Sequence, residues 1–535
     1  MLPSLPAMPS RPSPAPASSF LVWLPTAFAA GLAGLSLTPR VQTADVLTWS
    51  FQGAAAFLVV WNAIVVFTGR GRSDPIETTL RPHHYVQALC QFAVFAYWGW
   101  YWRPVYAMAV LIGGQLVFAY GFSMLLTWWR GSTYRLGFGP VPIIFSINLF
   151  LWFRDDWFYL QFLMIAVGFL GKELVRWHRE GRRVHIFNPS AFALGLFSLV
   201  LIATGSTQLT WGQEIASTLT LAPRIYLYLF LVGLVVMYFF SITLIAASAA
   251  AVLFGLSAGY AAWTGVPYFV DSEIPAAVFL GLHLLVTDPS TSPRTPLGKT
   301  FFGALYGVGV FALYAILGAA GAPTFYDKLL CVPLLNLSVR GIDSLVRTLD
   351  ERGFAIPGVG GQAALTERRA WWSPVRLNLA HMGVWILFFG VMASTGRADG
   401  RHIGDSLPFW EMACSENRPT ACDRLLQLEA TYCSDDSAWA CNELGAHYAE
   451  GTLVEADPAL ARAFFGRACE LRFQEACLNL LDDSRIVRGD PRPLDLRLLL
   501  REGGRNLMEV PEGELIVRAC DHAWSFACRR TAANG

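Results

Sequence analysis

Two proline-containing segments, with Asn188 and Asp288 at equivalent places, carry the residue types best suited to holding an anion. They are His185-Ile186-Phe187-Asn188-Pro189-Ser190 and Thr287-Asp288-Pro289-Ser290-Thr291-Ser292-Pro293. Asn or Asp accepts hydrogen bonds from the free N–H groups that open a helix. Pro suits the first helical position because its missing N–H costs nothing there. Both segments are therefore expected to start helices in broken spans and to frame one central site. Exposed N–H groups and the helix dipole favour an anion such as a phosphate, or the edge of a flavin ring. His185, Asn188, Thr287 and Asp288 are the candidate contacts. Plain capping at a membrane interface accounts for the same residues without a ligand. Lys172 and Glu173 read as an interfacial ion pair. Arg81-Pro82-His83-His84 reads as snorkelling side chains at a helix entrance, because adjacent histidines point different ways on a helix. The chain has no Walker-type loop, Gly-x-Ser-x-Gly, His-Glu-x-x-His or Cys-x-x-Cys-His, which weighs against ATP-driven transport and hydrolysis by known motifs.

Eight of the ten cysteines form pairs at one spacing: Cys414 with Cys422, Cys433 with Cys441, Cys469 with Cys477, and Cys520 with Cys528. Residues eight apart on one continuous helix lie about 12 Å apart along its axis, whereas a disulfide needs Cα atoms within about 7 Å. Each pair is therefore expected to straddle a turn between antiparallel helices. Zinc is the competing reading, but zinc sites favour closer Cys spacing. Disulfides place this region in an oxidising compartment. Cys90 and Cys331 lie in apolar runs and read as inert core thiols.

These segments sit in a chain of 535 residues that is 54% hydrophobic and only 15% charged, with mean hydropathy +0.43. Long apolar runs point to an all-α, multi-span protein of a bacterial-type inner or plasma membrane. A net charge of +1 offers nothing to nucleic acid. Thirteen runs are candidate crossings, approximately 20–37, 47–68, 85–102, 105–129, 138–153, 157–175, 187–204, 225–243, 245–262, 274–286, 301–320, 326–337 and 379–395. The Arg/Lys-rich loops at 70–81, 130–135, 172–183, 294–299 and 340–376 are expected inside. The loops 154–156, 205–224 and 264–275, and everything after Ser394, then fall outside. Residues 1–19 read as a disordered Pro/Ser-rich tail, with a cleaved signal peptide as the alternative.

The 36-residue step from Cys433 to Cys469, repeated from Cys441 to Cys477, indicates a solenoid of helical hairpins. The stretch Leu444-Gly-Ala-His-Tyr448-Ala-Glu-Gly451 with Asp457-Pro-Ala-Leu-Ala461 and Ala468-Cys469 resembles the cysteine-paired Sel-like repeat, a relative of the tetratricopeptide repeat. The match is good over 412–482 and poor over 483–530. It implies a protein-binding scaffold. In the membrane region, Gly171-Lys172, His185-Ile-Phe-Asn-Pro-Ser-Ala, Thr287-Asp-Pro-Ser-Thr-Ser-Pro, Gly298-Lys299 and Pro333-Leu-Leu-Asn336 with Ile342-Asp343 occur in an order similar to that of the NqrB/RnfD family. Those are membrane subunits of the sodium-pumping NADH:quinone reductase and of the Rnf complex. The resemblance covers 85–345, a ten-helix core. Residues 20–84 would be two added helices, 346–378 a cytoplasmic loop, 379–395 a last span and 396–535 an exported repeat domain.

Family members carry flavin mononucleotide on a threonine of an outside loop, within Asp-x-x-Ser/Thr-Gly-Ala-Thr. The corresponding residues are Glu214, Ser217, Thr218, Leu219 and Thr220. Thr218 and Leu219 stand where the family has small residues, which argues against a covalent bond on Thr220. Lys172, Ser217 and Thr220 join the candidate cofactor contacts on this basis. The resemblance implies a redox subunit holding flavin, with quinone as a further cofactor and other electron-transfer subunits as partners. Two alternatives are a flavin-free transporter or channel on the same scaffold, and a membrane anchor presenting the repeats to an exported protein.

Overall fold

The computed structural model describes residues 21–68, 76–179, 181–270, 272–352, 374–399, 402–482, 485–500 and 507–534. The expected N-terminal tail and most of the 346–378 loop lie outside these residues. The fold is mostly helical, with two small two-stranded ribbons, and the chain divides into two compact units.

The first unit contains α1 (Leu24–Leu35), α2 (Asp45–Phe67), α3 (Pro82–Tyr101) as far as Gln91, α4 (Pro104–Ala107), α5 (Ala109–Trp129), α6 (Pro140–Asn148), α7 (Tyr159–Leu174) and α8 (Pro189–Ala203). Helices α1 and α2 pack on each other and on α5, and α2 also packs on α7. The two helices expected as additions are thus integral to this unit. All of α6 but Phe145 is buried. Its end is held by amides: Asn148 and Gln115 exchange hydrogen bonds of 2.6 and 3.1 Å, and Gln161 donates to Gln115 at 3.3 Å. Beyond it, Gln161 accepts from the Phe153 N–H at 3.1 Å, and Phe153 bridges Thr210.

Strands β1 (Glu77–Thr78) and β2 (Arg135–Leu136) pair in parallel. The basic loop after α7 folds into a hairpin of β3 (Arg176–Arg179) and β4 (Arg182–His185). Gly181, at φ +73°, makes its turn.

The second unit begins with the rest of α3. Its membrane part holds α9 (Gly212–Thr218), α10 (Ile225–Phe240), α11 (Thr243–Thr264), α12 (Ala276–Leu284), α13 (Pro296–Ala319), α14 (Asp327–Glu351) and α15 (Pro374–Ser394). Helices α11 and α13 approach closely at Gly303 and Gly307. A Cβ on these would lie 2.2 Å from the Ile245 carbonyl oxygen and 2.9 Å from that of Ala249. Small residues four apart bring helix backbones together where lipid gives no hydrophobic drive.

Every apolar run that suggested a crossing contains a helix, but these helices differ in length. Among the described residues six helices are long and apolar enough: Asp45–Phe67, Ala109–Trp129, Thr243–Thr264, Pro296–Ala319, Thr324–Glu351 and Arg376–Ser394. A seventh crossing results if α9 and α10, bent by 100°, count as one span. The nine-residue α6 and α12 reach only about 14 Å at 1.5 Å per residue, against roughly 30 Å of hydrocarbon. Apolar runs at those places reflect burial inside protein, which hydropathy cannot distinguish from burial in lipid.

The region expected as a repeat domain comprises α16 (Leu407–Ser415), α17 (Ala421–Ser434), α18 (Ala438–Glu450), α19 (Pro458–Glu470), α20 (Gln474–Leu481), α21 (Pro493–Leu499), α22 (Glu512–Asp521) and α23 (Ser525–Asn534). All four expected disulfides are present, each across a turn between helices. Cys414 is bonded to Cys422, Cys433 to Cys441, Cys469 to Cys477 and Cys520 to Cys528, with Cα separations of 4.6–4.9 Å. Cys422 and Cys528, in the first and last hairpins, are half-buried. Their sulfurs lie 3.6 and 3.4 Å from the carbonyl oxygens of Cys414 and Cys520, so the crosslink folds back over the end of the preceding helix. Cys90 and Cys331 are both buried in the membrane part, as expected. Three residues after the first cysteine of each pair stands a residue with positive φ: Asn417, Asp436, Arg472 and Ala523. The next N–H returns to the carbonyl just before that cysteine, as in Trp524 to Ala519 at 3.1 Å. This is a Schellman ending that normally uses Gly. Ala523→Gly is therefore expected to raise the stability of this hairpin by about 0.5–1 kcal/mol, since a side chain in the left-handed region costs about 1–2 kcal/mol. Chemical denaturation of the full protein, followed at the repeat domain, would contradict this if the variant unfolded earlier.

Candidate functional site

The first unit holds a cavity of about 640 Å³ built from segments far apart in sequence, within the roughly 300–1,000 Å³ usual for cofactor sites. Arg81 and His84 come from the start of α3, Ser123 and Thr127 from α5, and Phe169, Lys172 and Glu173 from the end of α7. Arg176 comes from β3, Glu77 from β1, Ser132 to Arg135 from the turn into β2, and Gly139 and Pro140 from the start of α6. Four cationic and two anionic side chains line it, so positive charge is in excess. The N-terminal end of α6 adds its dipole in the same sense. The walls are tied by Tyr134, whose hydroxyl meets Ser123 at 3.3 Å, and by Tyr120, which donates to the Gly137 carbonyl at 3.0 Å. Glu173 pairs with Arg176 at 2.5 Å, and Glu77 faces Arg135 at 3.6 Å. Glu173, read from the sequence beside Lys172, faces Arg176 three residues on, in β3.

Among the sequence candidates, Lys172 lines this cavity. His185 ends β4, directly before the Asn188 element. Asn188 caps α8 as expected: its Oδ1 accepts from Ser190 N–H at 3.1 Å, Ala191 N–H at 3.4 Å and the Ser190 hydroxyl at 2.7 Å. Two motif segments meet here. A Cβ on Gly171 would lie 2.5 Å from the Phe192 ring, and one on Gly168 would lie 2.9 Å from the Pro189 carbonyl oxygen. Replacing Asn188 by Ala should cost about 0.5–2 kcal/mol of stability without preventing insertion. Unchanged resistance to denaturant would show that Asn188 does not hold α8.

Asp288 and Thr287 lie in the second unit. Asp288 makes the same local bonds as Asn188, accepting from Ser290 N–H at 2.9 Å and the Ser290 hydroxyl at 2.7 Å. No helix follows, which corrects the expectation that it opens one. The residue before a proline is pushed out of the helical region, and proline lacks an N–H, so Pro293 stops the turn. The helix starts at Pro296 instead, capped by Thr295. Thr287 donates to the His283 carbonyl at 2.8 Å, closing the end of α12. Asn336, inside α14, donates to the Thr291 carbonyl at 3.2 Å. A Cβ on Gly298 would lie 2.8 Å from Pro293 and 3.6 Å from Ile342. The later motif segments therefore also come together.

The loop bearing Thr220 is helical, with α9 followed by a short 3-10 turn. Its hydroxyls turn onto their own helix: Thr220 donates to the Ser217 carbonyl at 2.7 Å and Ser217 to that of Glu214 at 3.3 Å. Leu219 is buried at 2% exposure, filling the space that a small residue would leave. His84 and Arg135, read from the sequence only as interfacial and loop side chains, line the cavity. Among the described residues no group of three or more His, Cys, Asp or Glu side chains is placed to hold a metal ion. Family models, curated proteins and solved structures provide no match to this chain.

A second polar cluster lies inside the repeat domain. Glu429 and Glu443 are buried. His447 faces Glu429 at 3.4 Å, and Arg488 pairs with Glu443 and, at 2.7 Å, with Glu450. Burial pushes the Glu443 carboxyl up to about 7, against the opposing pull of Arg488. Burial and the neighbouring Glu429 raise Glu411 to about 6, and burial also raises Glu429. A carboxyl whose folded pKa lies above its unfolded value stabilises the fold when protonated. That contribution is complete below the unfolded value and is lost as pH rises through about 6 to 7. The repeat domain should therefore melt at higher temperature at pH 5 than at pH 8, read from the fluorescence of Trp439 and Trp524. A lower melting temperature at pH 5 would contradict this assignment.

Proposed function

We propose that the chain is a multi-pass membrane protein whose helical core holds a flavin nucleotide without a covalent bond and serves electron transfer. Its disulfide-bonded repeat domain faces the outside and docks a partner protein. The observation that carries this reading is the cavity at Lys172. Its cations suit a phosphate, its hydroxyls offer hydrogen bonds to polar ring edges, and Phe169 and Tyr134 offer apolar surface to the ring. Arg81, Arg135, Lys172 and Arg176 would hold the phosphate. The flavin, when bound, supplies the one- and two-electron chemistry, while the protein supplies orientation and charge. The ordered motifs that resemble the NqrB/RnfD family add support, because their segments pack on one another within each unit. The self-bonded hydroxyl of Thr220 and the buried Leu219 favour non-covalent binding.

Sidedness rests on consistent ends. In the first unit the basic loops around Arg81, Arg135 and Lys172 share the cavity. At the other end of α7, Asp155 pairs with Arg40 and Arg154 bonds to Leu209. In the second unit the repeat domain touches the end where α10 starts and α11 stops, through Asp399 to Tyr226 and Arg418 to Gly265. Lys299 sits at the opposite end, donating to the Ser241 carbonyl at 2.7 Å. The positive-inside rule then puts the repeats outside.

A transporter for a small organic anion is the second reading, favoured by the interrupted helices α6 and α12, since broken helices build transporter sites. The absorption spectrum of purified protein separates the two. A flavin spectrum is expected, with Arg135→Gln or Lys172→Met lowering flavin affinity about tenfold or more, the scale of a charged hydrogen bond. Thr220→Val should keep its flavin. Colourless wild-type protein overturns the redox reading, and colourless protein that binds anions at this cavity would establish the second.

A further inference from the structure

The gaps between successive cysteine pairs are unequal: 11 residues from Cys422 to Cys433, 28 from Cys441 to Cys469 and 43 from Cys477 to Cys520, the longest. The chain after α20 contains an extended stretch, Arg485-Ile-Val-Arg-Gly-Asp490, that lies across the helices of the preceding repeats. It is held as a bound peptide would be. Asn479 contacts both backbone groups of Val487, accepting from its N–H at 2.7 Å and donating to its carbonyl at 2.8 Å. Asn442 donates to the carbonyls of Val487 at 3.1 Å and Arg488 at 2.8 Å, and the Trp439 indole donates to the Gly489 carbonyl at 3.2 Å. These bonds read backbone only, so they would accept almost any extended segment.

Two positions impose identity. Arg488 enters between Glu443 and Glu450, with Glu429 and Glu411 close enough to act on the same group of charges. Gly489, at φ +78°, holds a backbone conformation that side chains disfavour, and a Cβ there would also have to displace the Glu475 side chain, 2.8 Å away. The acidic side chains outnumber the single guanidinium they surround. Asn442 and Asn479 are buried, whereas Val487 is exposed and Arg488 half-exposed. The groove residues belong to the helices, and the segment rests on them through backbone bonds, the Arg488 ion pairs and a partly buried Ile486.

We propose that residues 485–490 are a tethered ligand, and that the groove they fill is a docking site for an extended segment of a partner protein carrying Arg followed by Gly. This rests on the reading of the repeat domain as a docking scaffold and is independent of any cofactor in the membrane core. The inserted segment competes with the partner for the same asparagines and carboxylates, so docking requires the tether to lift.

A fluorescent peptide, Arg-Ile-Val-Arg-Gly-Asp-Pro-Arg, added to the full-length protein in detergent tests this. The Arg488→Glu/Gly489→Val variant, unable to seat its own tether, should bind the peptide at least tenfold more tightly than wild type. Adding Asn479→Ala should remove that gain, and a peptide with Glu at the fourth position should not bind. Equal weak binding by wild type and a variant that keeps its disulfides and a cooperative melting transition would overturn the proposal, as would equal binding of the charge-reversed peptide.

Hydrogen exchange of wild-type protein gives a readout that needs no variant. The Val487 amide should exchange at least a hundredfold faster than the amides of α18, because the tether opens locally. Exchange as slow as that of α18 would make the segment a permanent part of the fold and overturn the proposal. A domain that docks its partner elsewhere would give peptide-blind variants and a slow Val487 amide, which leaves the scaffold reading standing while removing the tether.

Discussion

A helix that stops inside an apolar interior leaves carbonyl groups that water cannot reach. Each unsatisfied group there costs several kcal/mol. The nine-residue helices α6 and α12 both stop this way, and the surrounding architecture answers that constraint. Around α6 the answer is Asn148, which donates to the Ile144 carbonyl at 2.8 Å, and the Trp152 indole, which donates to the Asn148 carbonyl; Gln115 and Gln161 hold the Asn148 amide in place, and the bridge between Phe153 and Thr210 follows. Around α12 it is Thr287 on the His283 carbonyl and Asn336 on the carbonyl of Thr291. These amides sit on α5, α7 and α14, so those helices cannot rotate or slide without exposing a broken end. Because α6 is short and fixed, its N-terminal end stays at the wall of the Lys172 cavity.

Close packing supplies the second part of the same solution. Gly168 and Gly171 let α7 meet Pro189 and Phe192 of α8, and Gly303 and Gly307 let α13 meet α11. In both places the missing side chains bring backbones within van der Waals range, where dispersion substitutes for the hydrophobic drive that lipid does not provide. The Asn188 cap keeps Pro189 at the first turn of α8, so that the groove faced by Gly168 is a carbonyl and not a bulky side chain. Capping, glycine placement and the broken helices are thus one arrangement.

Much of this is legible in sequence because it is local. Helix positions follow apolar runs, the Asn188 cap follows its Asn-Pro-Ser context, and the four disulfides, from Cys414 with Cys422 to Cys520 with Cys528, follow from what eight residues can and cannot span. Asp288 fails because a second proline, Pro293, falls just past the first turn that Asp288 would have opened and prevents its continuation. Which apolar runs form long helices and which form short buried ones is not legible, because a buried half-helix and a lipid-facing one have the same composition. The cavity is out of reach for a different reason. Arg81, Ser123, Arg135 and Lys172 lie on separate segments, and only tertiary packing collects them. His84 reads as an interfacial side chain, since nothing near it in sequence marks a neighbour at Gly139. The tethering segment is visible only as a stretch where the repeat pattern weakens, at 483–530, because its partners Asn442, Glu443 and Asn479 belong to the repeats before it.

The disulfides have one more implication, for how the domain reaches its final form. Each closes only a short loop, between cysteines eight residues apart, which in the chain-entropy picture contributes about 2–3 kcal/mol apiece. Eight cysteines can pair in 105 ways, yet every native pair consists of consecutive cysteines in the chain. A hairpin can therefore oxidise as soon as its second helix has emerged, before any later cysteine is present to compete. Oxidation can thus follow chain order, one hairpin at a time, and the widest gap, between Cys477 and Cys520, leaves the longest stretch of chain without a crosslink.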